Sequence, residues 1–468
     1  QSTLYSWSEP TFTASVTGGT SGADQLFVRG TLTNESNVAQ QAYYTVTPRL
    51  GDCVGANFTI TVYLNPTPVI TAMSAVTCSG VLFRVTPTNG VDGIVPIGTT
   101  YSWPVPTYTA TMTGGASANS QNSVFGTLRN TVNTTQTATY IVTPNISNCG
   151  NGAPFTVTVT VPPTAEISTM TTVTCSGVPF VVTPTNITNG IVPDGSTYSW
   201  NAPTYTGTVT GGASATNNPT IVFGTLSNRT NTVQTVTYRV TPTSGNCTGA
   251  TFTVIVTLNP TPEVSAMTTV TCSGVGFVVT PTNVTNGIVP GDTRYSWNAP
   301  SYTGTVTGGA SATDNLKTVY GLLSNRTNTQ QTVTYIVTPN TVSGGCIGNS
   351  FTVTVTLNPT PEVSAMSTVT CSGVPFVVTP TNDVNGIVPQ STRYSWPVPT
   401  YTATMTGGAS GTNVVDIVFG TLRNTVNTTQ TATYIVTPST GSGCTGASFT
   451  VTVTVPPTAE ITTMTTVT

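Results

Sequence analysis

Nine cysteines are the residues whose type and spacing could do chemistry in this chain of 468 residues. Cys78, Cys175, Cys272 and Cys371 each sit in a Thr-Cys-Ser-Gly context, whereas Cys53, Cys149, Cys247, Cys346 and Cys444 fall in turn-rich loops between two Thr-rich runs. Thiols in such regular alternation suit either disulfides or a thiolate-bound metal. A structural zinc site takes four thiolate or imidazole ligands. Two cysteines per repeat, with no histidine anywhere in the chain, cannot complete one. The expectation is disulfides, no metal and no cofactor, and with them an oxidising, extracytoplasmic location.

Other chemistry finds few candidates. Without histidine there is no ordinary base for a Ser or Cys nucleophile, and no pair of carboxylates recurs for acid–base work. Lys317 is the sole lysine, so the Thr-Gly-Gly-Ala-Ser turns lack a phosphate-loop lysine, and a Lys–Asn isopeptide in every repeat is excluded. Glu166, Glu263, Glu362 and Glu460 recur in linkers and Asp194 and Asp292 in loops. One carboxylate per linker is far short of the six to eight oxygens calcium takes, so these read as solvated residues. The Asn-x-Thr sequons at Asn186, Asn228 and Asn283 are expected by chance in a chain so rich in Asn and Thr. With 14 acidic against 11 basic residues there is no basic patch for nucleic acid. No run of 18 apolar residues exists to form a transmembrane helix. The chain is expected to be a segment of a longer polypeptide whose export signal and anchor lie outside it, and no catalytic residue is expected.

What must position the cysteines is a repeated small domain. Trp7, Trp103, Trp200, Trp297 and Trp396 are spaced by 96, 97, 97 and 99 residues, the signature of one unit repeated head to tail. The units are read as 1–64 (partial), 65–161, 162–258, 259–357 and 358–455, with 456–468 as the first strand of a further one. Within them Val and Thr alternate strictly, as in Phe155, Val157, Val159 and Val161 against Thr156, Thr158 and Thr160. Period two means strands with one buried and one wet face. Seven short strands per unit and no amphipathic helix predict an all-β, immunoglobulin-like sandwich. The Trp would sit in the core on the third strand, and Tyr140, Tyr238, Tyr335 and Tyr434 on the sixth. No repeated cluster of exposed aromatics is expected, which argues against a sugar-binding module. Short linkers such as Leu64 to Pro68 and Val161 to Ala165 are stiffened by proline, predicting a semi-rigid rod of about 200 Å. The stretch at residues 104–117 recurs at 397–410, an offset of 293 that spans three units and points to duplication selected for length.

Two cysteine pairings are conceivable on this frame. Within a unit, Cys78 to Cys149, Cys175 to Cys247, Cys272 to Cys346 and Cys371 to Cys444 are 71, 72, 74 and 73 residues apart; between units, Cys53 to Cys78 and its equivalents are nearer in sequence. If the Thr-Cys-Ser-Gly segment lies at the start of its domain, it shares an end with that domain's late hairpin. The Cys53–Cys78 type of pair would then have to span a domain, far beyond the roughly 6 Å between α-carbons that a disulfide permits. The expectation is therefore a bond inside every complete unit, worth about 4 kcal/mol in the chain-entropy account, with Cys53 left without a partner.

In order along each unit stand Thr-Cys-Ser-Gly, Asn-Gly-Ile-Val-Pro, Tyr-Ser-Trp, Thr-Gly-Gly, Thr-Tyr-x-Val-Thr-Pro, Cys-x-Gly and Asn-Pro-Thr-Pro. The whole chain resembles the PKD-like, immunoglobulin-like repeats of giant surface adhesins from gliding Gram-negative bacteria. The resemblance implies export by the type IX route, an anchor or motility machinery at the outer membrane beyond this segment, and a role in adhesion or gliding. Its partner would be an external surface or polysaccharide. A fibre or sheath built by lateral self-association is the alternative, because few charges and a near absence of Lys leave strand edges poorly guarded.

Overall fold

The computed structural model describes residues 2–147 and 149–459, and within them every regular element is a strand. The strand expected at 456–468 lies outside the described residues from position 460 onward.

The third unit shows why the sequence folds as it does. Its closing strand, Phe252–Asn259, alternates buried and half-buried residues, turning Phe252, Val254, Val256 and Leu258 inward. Beside it runs the Tyr strand, Gln234–Ser244, antiparallel in the register Val240↔Phe252 to Gln234↔Leu258. The Trp strand, Thr197–Trp200, pairs with the other edge of the Tyr strand. The opening strand, Met170–Cys175, takes the free edge of the closing strand and runs parallel to it, from Met170↔Val254 to Cys175↔Asn259. The sheet order is thus opening, closing, Tyr, Trp. The opposite layer is made of short antiparallel pairs, Phe180–Val182 with Val222–Gly224 and Val209–Gly211 with Leu226–Asn228.

Between the layers lies one core per unit. Trp103, Trp200, Trp297 and Trp396 are buried, as is Trp7, and each indole N–H donates to a backbone carbonyl thirteen residues on, as Trp200 Nε1 does to Ala213 at 3.1 Å. That bond holds the Gly211-Gly212 turn, where both residues have positive φ and a Cβ on Gly212 would stand 2.5 Å from the Tyr238 hydroxyl. Only glycine fits there.

The cores do not merge: five separate clusters form, one for each unit. A compact globule of this mass would expose about 16,500 Å² and five separate units together about 25,500 Å². The chain exposes 24320 Å², so its units meet only over small areas. In the first unit no described strand lies parallel to the closing strand Phe58–Leu64, and Phe58 is 42% exposed where Phe252 is 4%.

Candidate functional site at the junctions between units

The cysteines come together where one unit hands over to the next. Ten residues, Glu166 to Cys175, carry the opening segment along its unit by about 33 Å at strand rise. Its last residue, Cys175, stands in register with Asn259, where the closing strand leaves the unit; Cys272 stands likewise beside Asn358. The late hairpin sits at the other end. The Tyr strand turns at Ser244↔Cys247 before the closing strand sets out, so this loop faces the incoming linker and the unit before it.

The disulfides follow from that placement. Cys78 bonds Cys247, Cys175 bonds Cys346 and Cys272 bonds Cys444, with α-carbons 5.5, 5.6 and 5.6 Å apart. Each bond joins the opening strand of one unit to the hairpin of the next. The pairings expected inside a unit, Cys78–Cys149, Cys175–Cys247, Cys272–Cys346 and Cys371–Cys444, do not form. Cys149 and Cys371, expected to be bonded, are exposed free thiols, as is Cys53. The physical reason is one strand length: Thr-Cys-Ser-Gly lies not at the start of its domain but at the far end of a strand that has already crossed it.

Three further features build the junction. Bonded Cys247, Cys346 and Cys444 are buried, and the Gly two residues after each packs on the preceding linker. A Cβ on Gly348 would stand 2.1 Å from the carbonyl oxygen of Pro262, and one on Gly446 2.0 Å from that of Pro361. The Cys-x-Gly spacing, visible in the sequence, therefore marks a close backbone approach. The linker is also tied to the turn after the opening cysteine: Ser176 N–H donates to Asn259 O at 2.9 Å, and Thr261 Oγ1 donates to Ser176 O at 2.9 Å, with the same Thr bond from Thr360 to Ser273 at 2.8 Å.

The third feature is a buried asparagine that the sequence offered only as a chance sequon. Asn228 Nδ2 donates to Thr232 O at 2.8 Å and Leu258 O at 3.3 Å, its N–H donates to Ser176 Oγ at 2.9 Å, and its Oδ1 accepts from Thr230. Asn130, Asn325 and Asn424 repeat the arrangement. The signal was the recurrence of Asn at the same place in each unit. Asn228 is 2% exposed, which leaves its sequon no room for a glycan in the folded unit.

Charges are sparse here. Arg129 Nη2 of the second unit donates to both carboxylate oxygens of Glu166 at 2.8 Å, so this linker glutamate is paired across a junction and not simply solvated. Both side chains are exposed, and such a pair contributes little. Asp292 accepts from the N–H and hydroxyl of Ser343, in the hairpin that carries Cys346, at 2.7 and 2.6 Å. Burial pushes the Asp292 carboxyl up, but these hydrogen bonds outweigh it and hold the group below its ordinary value. Among the described residues no group of three or more Cys, Asp or Glu could hold a metal ion, and no helix is long and apolar enough to cross a membrane.

The aromatic expectation needs amendment. Phe223, Tyr320 and Phe419 are 48, 50 and 47% exposed, and each stands edge-on to the Trp of its unit at about 6 Å. A shallow apolar groove lies beside each, between that ring and the Gly-Gly-Ala-Ser turn. The third and fourth units thus offer two partly exposed rings each, Phe223 with Tyr205 and Tyr320 with Tyr302, and the fifth offers Phe419.

The family description "PKD-like domain" matches residues 1–68, 74–165, 172–262, 269–361 and 365–459. No curated protein matches the chain. Similar solved structures include Sidekick-1 immunoglobulin domains 1-5, at 11% identity over 97% of this chain and 99% of that one, TM-score 0.19. Others are Protocadherin Gamma B2 extracellular cadherin domains 1-5, at 10% identity over 90% and 86%, TM-score 0.19, and Drosophila N-cadherin EC1-4, at 9% over 83% and 99%, TM-score 0.18. At TM-scores this low nothing said of those proteins transfers to this chain.

Proposed function

This chain belongs to the PKD-like domain family, and from that premise we propose that it is the repetitive stalk of a large bacterial cell-surface adhesin, exported by the type IX route and held at the outer membrane by regions beyond this segment. The stalk is a passive, load-bearing tether that serves gliding motility or attachment to an external surface or polysaccharide. One observation carries the reading: five separately cored sandwiches in tandem, the second to fifth of them covalently clipped at three successive junctions. Such an arrangement serves reach and tensile strength, and the disulfides suit an extracellular setting.

The test is an in-frame deletion of residues 104–396, which fuses Trp103 to Pro397 and removes three units' length. Cells should keep the protein on their surface with shorter reach and altered adhesion or gliding. Unchanged adhesion together with loss of an enzymatic activity would overturn the proposal.

A second reading is favoured by a separate observation. Val76, Val173, Val270 and Val369 recur on the outermost strand of four units and are 64 to 73% exposed. A row of valines on an unpaired edge invites neighbouring arrays to pair, as a fibre or sheath would require. Concentration-dependent filaments in sedimentation and electron microscopy would favour the fibre, and a monomer throughout would leave the stalk.

A further inference from the structure

We infer that the inter-unit disulfides divide the array into two continuous covalent lines that carry tension past the sandwich folds, so that the oxidised array between its first and last bonded cysteines is nearly inextensible. One line can be followed from Cys78 through its bond to Cys247, along the closing strand Phe252–Asn259, through the linker, along Met267–Cys272, and through the next bond to Cys444. The other runs from Cys149 along Phe155–Val161, through the linker to Met170–Cys175, across to Cys346, along Phe351–Asn358 and on to Cys371. In every complete unit the two lines lie side by side, because the opening and closing strands pair in parallel. They exchange places from unit to unit: the line that closes the third unit opens the fourth.

Everything else hangs between the lines. In the third unit residues 176–246, which form the Trp strand, the Tyr strand and the whole second layer, connect Cys175 on one line to Cys247 on the other. They can unfold without lengthening either line. The three free thiols are the lines' loose ends: Cys53 leads into the first line, Cys149 into the second, and Cys371 ends the second. No cysteine of this sequence stands at the observed separations of 169 to 172 residues from any of them.

Magnitudes make the consequence sharp. Cys78 and Cys444 lie 366 residues apart in sequence, which as a fully extended chain is about 1,300 Å. Along the first line they are separated by the 25 residues from Cys247 to Cys272 and two disulfides, at most about 100 Å. Those 25 residues include two strands and a stiff linker, so roughly 80 Å of that length is already taken up in the folded array. This inference stands on connectivity alone and holds for a stalk or a fibre; the cell experiment above tests the stalk separately.

The experiment is single-molecule stretching of the full chain by its two termini, with and without dithiothreitol, after circular dichroism has shown that the reductant leaves the fold intact. Oxidised molecules should lengthen only through residues 1–78 and the segment after Cys444, at most one unit's worth of unfolding. Reduced molecules should show several further steps of about 300 Å each, one for each released unit of some 97 residues. Equal total gains in both conditions would overturn the inference. So would four oxidised steps of about 50 Å, the roughly 90 Å of some 25 extended residues less about 40 Å that a folded unit already spans, which is what bonds confined within units would release.

Discussion

Replacing Cys175 by Ala removes one bond and should weaken two units at once. In the folded array Cys346 is held at the leading end of the fourth unit through its bond to Cys175, which itself stands beside Asn259. When the fourth unit unfolds with its neighbours intact, the Cys272–Cys444 bond still ties Cys272 to the trailing end, near Asn358. The shortest circuit that Cys175–Cys346 then closes runs thirteen residues from Asn259 to Cys272 and twelve from Cys346 to Asn358. A 25-residue loop corresponds to about 3.5 kcal/mol in the chain-entropy account. The third unit contains the mirror-image circuit, bounded by Cys78–Cys247, and loses a similar amount. For a domain of this size that lowers the melting temperature by roughly 15 °C or more. Scanning calorimetry reads both shift and extent: a transition carrying about 70 kcal/mol per unit should move for two units, about 140 kcal/mol in all, while the others stay. A shift confined to one unit's enthalpy would refute the reasoning, since that is what a bond inside the third unit would give.

Gly348→Val puts a branched side chain where even a Cβ would stand 2.1 Å from the Pro262 carbonyl oxygen. The junction should loosen by about 1–3 kcal/mol, with slower closure of Cys175–Cys346 during refolding, and unchanged thiol-trapping kinetics would contradict this. Tyr238→Phe should stabilise its unit by about 1 kcal/mol in denaturant titration, because the Tyr238 hydroxyl is buried with no hydrogen-bond partner among the described residues; a loss of stability would show that the hydroxyl is satisfied. Burial pushes Tyr238 up to about 12, with Tyr205 adding to it, and also raises Tyr198. The folded unit then holds protons that the unfolded chain releases near pH 10, so stability should be constant below pH 10 and fall between about 10 and 12. Tyrosinate absorbance followed with unfolding checks it, and full titration near pH 10 in a folded array would contradict it.

Much of the fold was legible because its cause is local. Strict alternation around Val254 and Val256 dictates one buried face, and Trp200 with its four counterparts marks the repeat and its core. The junction was not legible because it depends on which way a strand runs. Cysteine spacing could not decide: separations of 71 to 74 within units are as regular as the 169 to 172 observed between them. What decides is that Glu166 to Cys175 is long enough to cross a sandwich and that its second part, Met170–Cys175, pairs parallel to the closing strand. Parallel pairing leaves no mark in a Thr-rich edge strand that distinguishes it from antiparallel. Gly348 and Asn228 were visible as recurrences, but their roles lie in backbone contacts that only the assembled junction creates.

The most direct measurement is peptide mapping of the unreduced full chain with free thiols blocked before digestion. Peptides joining Cys78 to Cys247, Cys175 to Cys346 and Cys272 to Cys444 are expected, with Cys53, Cys149 and Cys371 carrying the blocking group. A peptide joining Cys175 to Cys247 would contradict the junctions and the two covalent lines together.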